Sequence, residues 1–212
     1  MAETIAIDRN LKTLEQLETQ FGLKRAETED FFLEWQTDRP EISLHAVLDE
    51  IKQQYFYQLS QGQLGEETIK LIVLSPLLKV AGFYDPPFQF RAEATVEFSV
   101  AGKDKTYRGR VDALILQEQF WVVVIESKET SFSLELAIPQ ALAYMLASPH
   151  LEKSVYGMVT NGGNFIFLKV QKIGRSKLRY EFSDVFSLLP RRNQLYDVLA
   201  ILKKLGEQIK ND

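Results

Sequence analysis

The apolar positions of the first 60 residues recur at helical intervals. Leu11, Leu14, Leu17 and Phe21 form one set, and Phe31, Phe32 and Trp35 a second short cluster. Ile42, Leu44, Val47, Leu48, Ile51, Tyr55 and Leu59 mark one face of a longer helix that Pro40 introduces. Gln61-Gly-Gln-Leu-Gly65 breaks the pattern. Residues 1–60 therefore read as a helical appendage ahead of the main domain. Glu66–Ala81 is again apolar at helical period, with Gly82 as its C-cap. Pro76 predicts a break or kink there, with Ser75 capping a short second piece.

The period then changes from three or four to two. Ala92, Ala94, Val96, Phe98 and Val100 alternate with Arg91, Glu93, Thr95, Glu97 and Ser99, which predicts a strand with one wet face. Ala101–Lys105 reads as a hairpin loop and Thr106–Leu116 as its second strand. Phe120–Ile125 is a continuous apolar run, as expected of a central strand buried on both faces. Ser133–Ala147 predicts a helix with Pro139 near its first turns. Val155–Thr160 and Phe165–Val170 flank Asn161-Gly-Gly-Asn164, a hairpin signal. Leu178–Phe182 adds a short strand and Asn193–Ile209 a closing amphipathic helix. The first three strands can be antiparallel neighbours, and the helix after the third permits a right-handed parallel crossover to the fourth. The expected fold is α/β (α+β by stricter usage): a mixed sheet of four or five main strands flanked by helices.

Composition narrows the chemistry. The 212 residues suffice for a self-sufficient core, and the absence of cysteine removes disulfide scaffolds, thiol catalysis and iron–sulfur clusters. Two histidines, His45 and His150, cannot build a His-rich metal site, so any metal would take oxygen ligands, which select Mg, Mn or Ca. The sequence lacks a signal peptide pattern and any apolar run of the ~18–20 residues a membrane span needs, so a cytoplasmic location without membrane partners is expected. The net charge of −4 argues against nucleic acid only as a sum. Residues 1–67 carry a net −8 and the remainder a net +4. Lys103, Lys105, Arg108 and Arg110 gather around the first hairpin, and Lys172, Arg175 and Lys177 around a later one. These are candidates for lining a groove that holds phosphates; solvated lysines guarding edge strands are the plain alternative.

Three charged residues interrupt the apolar strands. Asp112 stands in Val111-Asp-Ala-Leu-Ile-Leu116, and Glu126 and Lys128 close Val122-Val-Val-Ile-Glu-Ser-Lys128. Residues two apart on a strand share a face, so Glu126 and Lys128 emerge side by side. A hairpin around Gln117–Gln119 brings Asp112 near Glu126. Two adjacent carboxylates repel and are costly to desolvate, and a divalent cation relieves both costs. With the backbone carbonyl of Ser127 they make an open Mg²⁺ site, in which the cation neutralises phosphate and acidifies its water. Lys128 is placed to orient that water or stabilise the transition state.

An Asp in one strand, followed by Glu-x-Lys closing the next, in this order of elements, resembles the PD-(D/E)XK nuclease superfamily, with Val111 where that motif usually has proline. Gln140-Ala-Leu-Ala-Tyr144 resembles the Gln-x-x-x-Tyr motif of its RecB-like branches; the two residues are i, i+4 and share a helix face. Gly65-Glu-Glu-Thr-Ile-Lys70 through Phe83 is similar to the first core helix of the nuclease domain in type I restriction-enzyme motor subunits, which carries an acidic residue of the site; Glu66 is the candidate, Glu67 the fallback. The resemblance covers roughly residues 61–172. It implies a restriction-endonuclease-like core over 61–182, with the helical appendage before it and a packing helix over 183–212. It further implies Mg²⁺- or Mn²⁺-dependent hydrolysis of DNA, with Asp112, Glu126 and Glu66 around the metal, Lys128 at the nucleophile, and Gln140 and Tyr144 supporting the site or touching substrate. The sequence contains no Walker A pattern, so an ATPase motor is not expected in this chain. A homodimer, or separate helicase, methylase or specificity subunits of a restriction–modification system, would be partners. The alternative is a non-catalytic nucleic-acid-binding or assembly module on the same fold.

Overall fold

The structure, a computed structural model, describes residues 3–26, 32, 42–99, 105–118, 120–174 and 177–208. The chain opens with a strand, β1 (Glu3–Ala6), then a single helical turn α1 (Ile7–Asn10), helix α2 (Leu14–Phe21) and strand β2 (Leu23–Arg25). Thr13 and Gln16 form a reciprocal capping box at the start of α2, and Gly22 ends it at φ +68°. Helix α3 (Ile42–Ser60) precedes α4 (Glu66–Ile69), which runs through a π-helical turn, Lys70–Leu74, into α5 (Ser75–Val80). Strands β3 (Phe88–Ser99), β4 (Lys105–Gln117) and β5 (Phe120–Ser127) follow. A short 3₁₀ turn, Leu134–Leu136, leads into α6 (Ile138–Met145), and then come β6 (Val155–Thr160), β7 (Asn164–Ile173), β8 (Lys177–Phe182), β9 (Phe186–Ser187) and α7 (Leu195–Gln208).

Among the described residues the strands form one nine-stranded mixed sheet, ordered β1-β4-β5-β6-β7-β8-β2, with β3 also on β4 and β9 on β7. The expected parallel crossover is present: β5 and β6 pair in parallel, with α6 between them in sequence. The expected hairpin at Asn161–Asn164 joins β6 to β7. The sheet is larger than the four or five strands read from sequence, and the purely helical reading of residues 1–60 is corrected. β1 pairs in parallel with β4 and β2 with β8, so this segment supplies strands near both ends of the sheet. Its apolar residues Ile7, Leu11, Leu17 and Leu23 are buried with those of α6. Four- and three-residue strands are too short for alternation to be visible; pairing alone makes them strands.

Two apolar cores cover the two faces of the sheet. One joins α3, α4, α5 and α7 to Ala113, Ile115, Ile125, Met158 and Phe167. The other joins α1, α2 and α6 to Val111, Leu114, Val124, Val159 and Leu168. The side-by-side alternation expected along β3 changes face partway. Phe88 packs with the first core, whereas Ala94, Val96 and Phe98 pack with the second. Between them Glu93 takes φ +51°, a left-handed conformation that interrupts the pleat. By register Glu93 stands opposite Asp112, since Ala92 pairs with Ala113 and Ala94 with Val111.

Pro76 does not break its helix. The wide turn at Lys70–Leu74 lets the Ser75 amide reach the carbonyl of Lys70 and absorbs the ring without a gap, and Ser75 makes no side-chain cap. Gly82, at φ +85°, ends the helix as expected, with the Phe83 amide bonded to the Leu78 carbonyl.

Candidate active site

One edge of β4 is shared by two strands. β5 pairs with Ala113–Gln117 and β1 with Lys105–Arg108, while β3 takes the opposite edge. Residues 109–112 thus lie in a gap between the end of β5 and β1, and the expected site residues converge there. The Asp112 Oδ2 atom accepts the Ser127 amide at 2.6 Å and the Ser127 hydroxyl at 3.1 Å. This ties the aspartate to the end of β5. Glu126, one residue earlier, is only 2% exposed. Lys128 donates to Glu126 Oε1 at 2.5 Å, and the lysine side chain is itself 16% exposed. The pair is therefore not the solvated strand-end ion pair that Glu-x-Lys usually means. The Lys128 amide bonds to the Thr160 carbonyl, and its ammonium stands 5.9 Å from the centre of the Phe132 ring.

Gln140 and Tyr144 meet as their spacing predicts. Gln140 Nε2 donates to Glu126 Oε1 at 2.8 Å and to the Tyr144 hydroxyl oxygen at 2.7 Å. Burial beside Glu126 raises the pKa of that hydroxyl well above the usual tyrosine value. Tyr144 can lie there because residue 109 is glycine. A Cβ at Gly109 would sit 2.4 Å from Tyr144 Cε1 and 3.2 Å from Ile7 Cβ. Gly109→Ala should destabilise the protein by ~1–3 kcal/mol through overpacking and loosen the hold of Gln140 on Glu126. Urea unfolding of the purified variant checks this, and an unchanged midpoint would refute the close contact.

Glu126 carries the perturbed charge. Burial, then the Asp112 carboxylate and, least, Glu66 raise its pKa from 4.5 to about 8, against the lowering influence of Lys128. Oε1 has two donors, whereas Oε2 is buried and takes no hydrogen bond among the described residues. An orphaned buried carboxylate oxygen is costly unless a cation or a donor meets it.

Glu66, the first choice for the third acid, and Glu67, the fallback, both reach the cluster, but indirectly. Lys70 binds Glu66 at 2.9 Å, Glu67 at 2.9 Å and Asp112 Oδ1 at 2.7 Å. Hydrogen bonds between Leu64 and Thr130 hold the start of α4 against the loop after Lys128. Sequence reasoning missed Lys70. Its signal was a cation four residues after Glu66 in an apolar helix; its reach to Asp112 is set by the tertiary fold. Among the described residues no three carboxylate or imidazole side chains gather into a metal cage. Asp112 and Glu126, with the Ser127 carbonyl, remain the oxygen donors that could hold a divalent cation. The orphaned Glu126 oxygen and the ammonium already drawn to Asp112 fit that chemistry.

The basic candidates divide. Arg110 and Arg108 lie two and four residues before Asp112 on β4 and pair with Glu93 and Glu97 of β3. Lys105 lines a cleft of about 620 Å³ with residues of β1, α1 and α2. Lys172 and Lys177 sit at the ends of β7 and β8 remote from the carboxylates, since β7 runs antiparallel to β6 and begins at the site end. Lys103 and Arg175 lie outside the described residues. A separate cleft of about 320 Å³ opens directly beside Asp112, lined by Lys70, Leu71, Tyr84, Phe90 and Glu93.

A family model described as the N terminus of the type I restriction enzyme R protein matches residues 8–173. No curated protein matches the sequence. Among solved structures, a fragment assigned as an HsdR subunit of a type I restriction enzyme from Vibrio vulnificus YJ016 is similar, at 18% identity and a TM-score of 0.40. The match covers 69% of this chain and 26% of that one, so the chain spans about a quarter of its length. The family match starts at residue 8, well ahead of the 61–172 span of the sequence resemblance, and so includes the N-terminal residues that enter the core. The chain belongs to the family of type I restriction enzyme R protein N termini.

Proposed function

We propose that the chain is a Mg²⁺- or Mn²⁺-dependent deoxyribonuclease module that hydrolyses DNA phosphodiesters at the gap between β5 and β1. The observation that carries this reading is Glu126, buried beside Asp112 with one oxygen held by Lys128 and Gln140 and the other orphaned. Asp112, Glu126 and the Ser127 carbonyl would hold the cation, which when bound supplies charge neutralisation at the phosphate and a more acidic water. The chain's own groups do the rest. Gln140, steadied by Tyr144, fixes the orientation of the Glu126 carboxylate. Lys128 places an ammonium beside it, where it can orient the attacking water and offset the charge that develops on phosphorus oxygens. Arg108 and Arg110, on the β3–β4 extension past β5, would contact the DNA backbone once DNA competes them away from Glu97 and Glu93. Separate helicase, methylase or specificity subunits, or a second copy of the chain, would supply the remaining DNA affinity.

Supercoiled plasmid, linear duplex and single-stranded DNA, each incubated with the protein in Mg²⁺, Mn²⁺ or EDTA, test this. The reading expects cleavage with either metal and none in EDTA, with supercoiled plasmid reporting internal nicking. Intact DNA of all three forms in both metals would overturn it and leave a non-catalytic binding module.

A further inference from the structure

We infer that Lys70 is a tethered counter-cation that competes with a divalent ion for Asp112, so that the metal enters by displacing it. This rests on the metal-dependent reading above. Both Asp112 oxygens are engaged: Oδ1 by the Lys70 ammonium at 2.7 Å, Oδ2 by the Ser127 amide and hydroxyl. The Ser127 amide belongs to the β5 backbone and cannot move aside. The lysine, on a flexible stem, is the partner that can leave Oδ1, and Glu126 Oε2 is the open position at the site. The ammonium has three donors, and Glu66, Glu67 and Asp112 take all three. Its side chain is 19% exposed.

The local backbone provides the arrangement. Glu66 and Glu67 precede Lys70 by four and three residues on α4, so all three share one side of the helix. Lys70 begins the π-helical turn. A lysine released from Asp112 stays bound to Glu66 and Glu67 and faces the cleft lined by Leu71, Tyr84 and Phe90. Lys70 thereby holds the acidic cluster together without metal and withdraws a positive charge from it when metal arrives.

Calorimetric titration of Mn²⁺ into the full chain tests this, comparing wild type with Lys70→Met, Lys70→Gln and Lys70→Arg. Removing a neighbouring positive charge should tighten Mn²⁺ binding ~10-fold or more in the two neutral variants. The arginine variant should stay near wild type. Melting in EDTA should show both neutral variants less stable than wild type, with a larger gain on adding Mn²⁺. If Lys70→Met fails to fold, Lys70→Gln, which keeps a donor for the carboxylates, carries the comparison. Equal or weaker Mn²⁺ binding in the neutral variants, with wild type binding normally, overturns the role of Lys70 and leaves the nuclease reading standing. Absence of Mn²⁺ binding in all four proteins overturns both.

Discussion

Glu126→Gln should lower Mg²⁺-dependent DNA cleavage by ~10³-fold or more, as expected when a metal-ligating charge is removed from the reacting centre. The glutamine carbonyl can still accept from Lys128 and Gln140, so the polar network around Oε1 survives and the loss reports the charge rather than the fold. The same substitution should flatten the pH dependence of stability in the metal-free protein. The folded pKa of about 8 lies above the ordinary 4.5, so the native carboxyl holds its proton more tightly than the unfolded one. Its contribution to stability is therefore complete below pH about 4.5 and is lost as pH rises through about 8. Melting in EDTA across this range should show wild type falling and Glu126→Gln changing less. Parallel curves would contradict the buried, cation-seeking state assigned to this residue.

Lys128→Met should cost ~10²–10⁴-fold in cleavage, the range of a positioned acid–base or charge-stabilising group, while Mn²⁺ and DNA still bind. Methionine keeps an unbranched side chain of similar length and removes the ammonium that meets Glu126 at 2.5 Å and faces the Phe132 ring. Glu126 then loses an influence that lowers its pKa, so Mn²⁺ binding by the variant should weaken more steeply as pH falls below 8. Cleavage within ~3-fold of wild type, a change too small for a lost charge at the reacting centre, would refute a catalytic role for the lysine. Loss of Mn²⁺ binding at every pH would instead make it a support for the metal ligands alone.

The parts of the site that were legible in the sequence rest on local periodicity. Phe120–Ile125 is a continuous apolar run because β5 lies between β4 and β6 with cores on both faces. A charge at the end of such a run is conspicuous, which exposed Glu126; Gln140 and Tyr144 meet because helical spacing puts them on one face. The illegible parts are tertiary. β1 and β2 are too short to show a period, yet β1 closes one side of the gap that holds Asp112. The change of face along β3 coincides with a left-handed backbone conformation at Glu93, in a stretch whose side chains alternate without fault. Lys70 looks like any helix cation until the fold brings it to Asp112. Gly109 reads as a flaw in a strand, and only the Tyr144 ring above it gives the reason. The hairpin lysines read as one basic class, but strand direction separates Arg108 and Arg110 from Lys172 and Lys177.

The carboxylate pair as a divalent-cation centre is the claim on which the rest depends, and Mn²⁺ calorimetry on wild type and on the double variant Asp112→Asn/Glu126→Gln tests it most directly. The account predicts carboxylate-dependent Mn²⁺ binding by the wild-type chain, abolished in the double variant while its melting transition remains cooperative. Equal Mn²⁺ binding by the two folded proteins, or none by wild type, would contradict it.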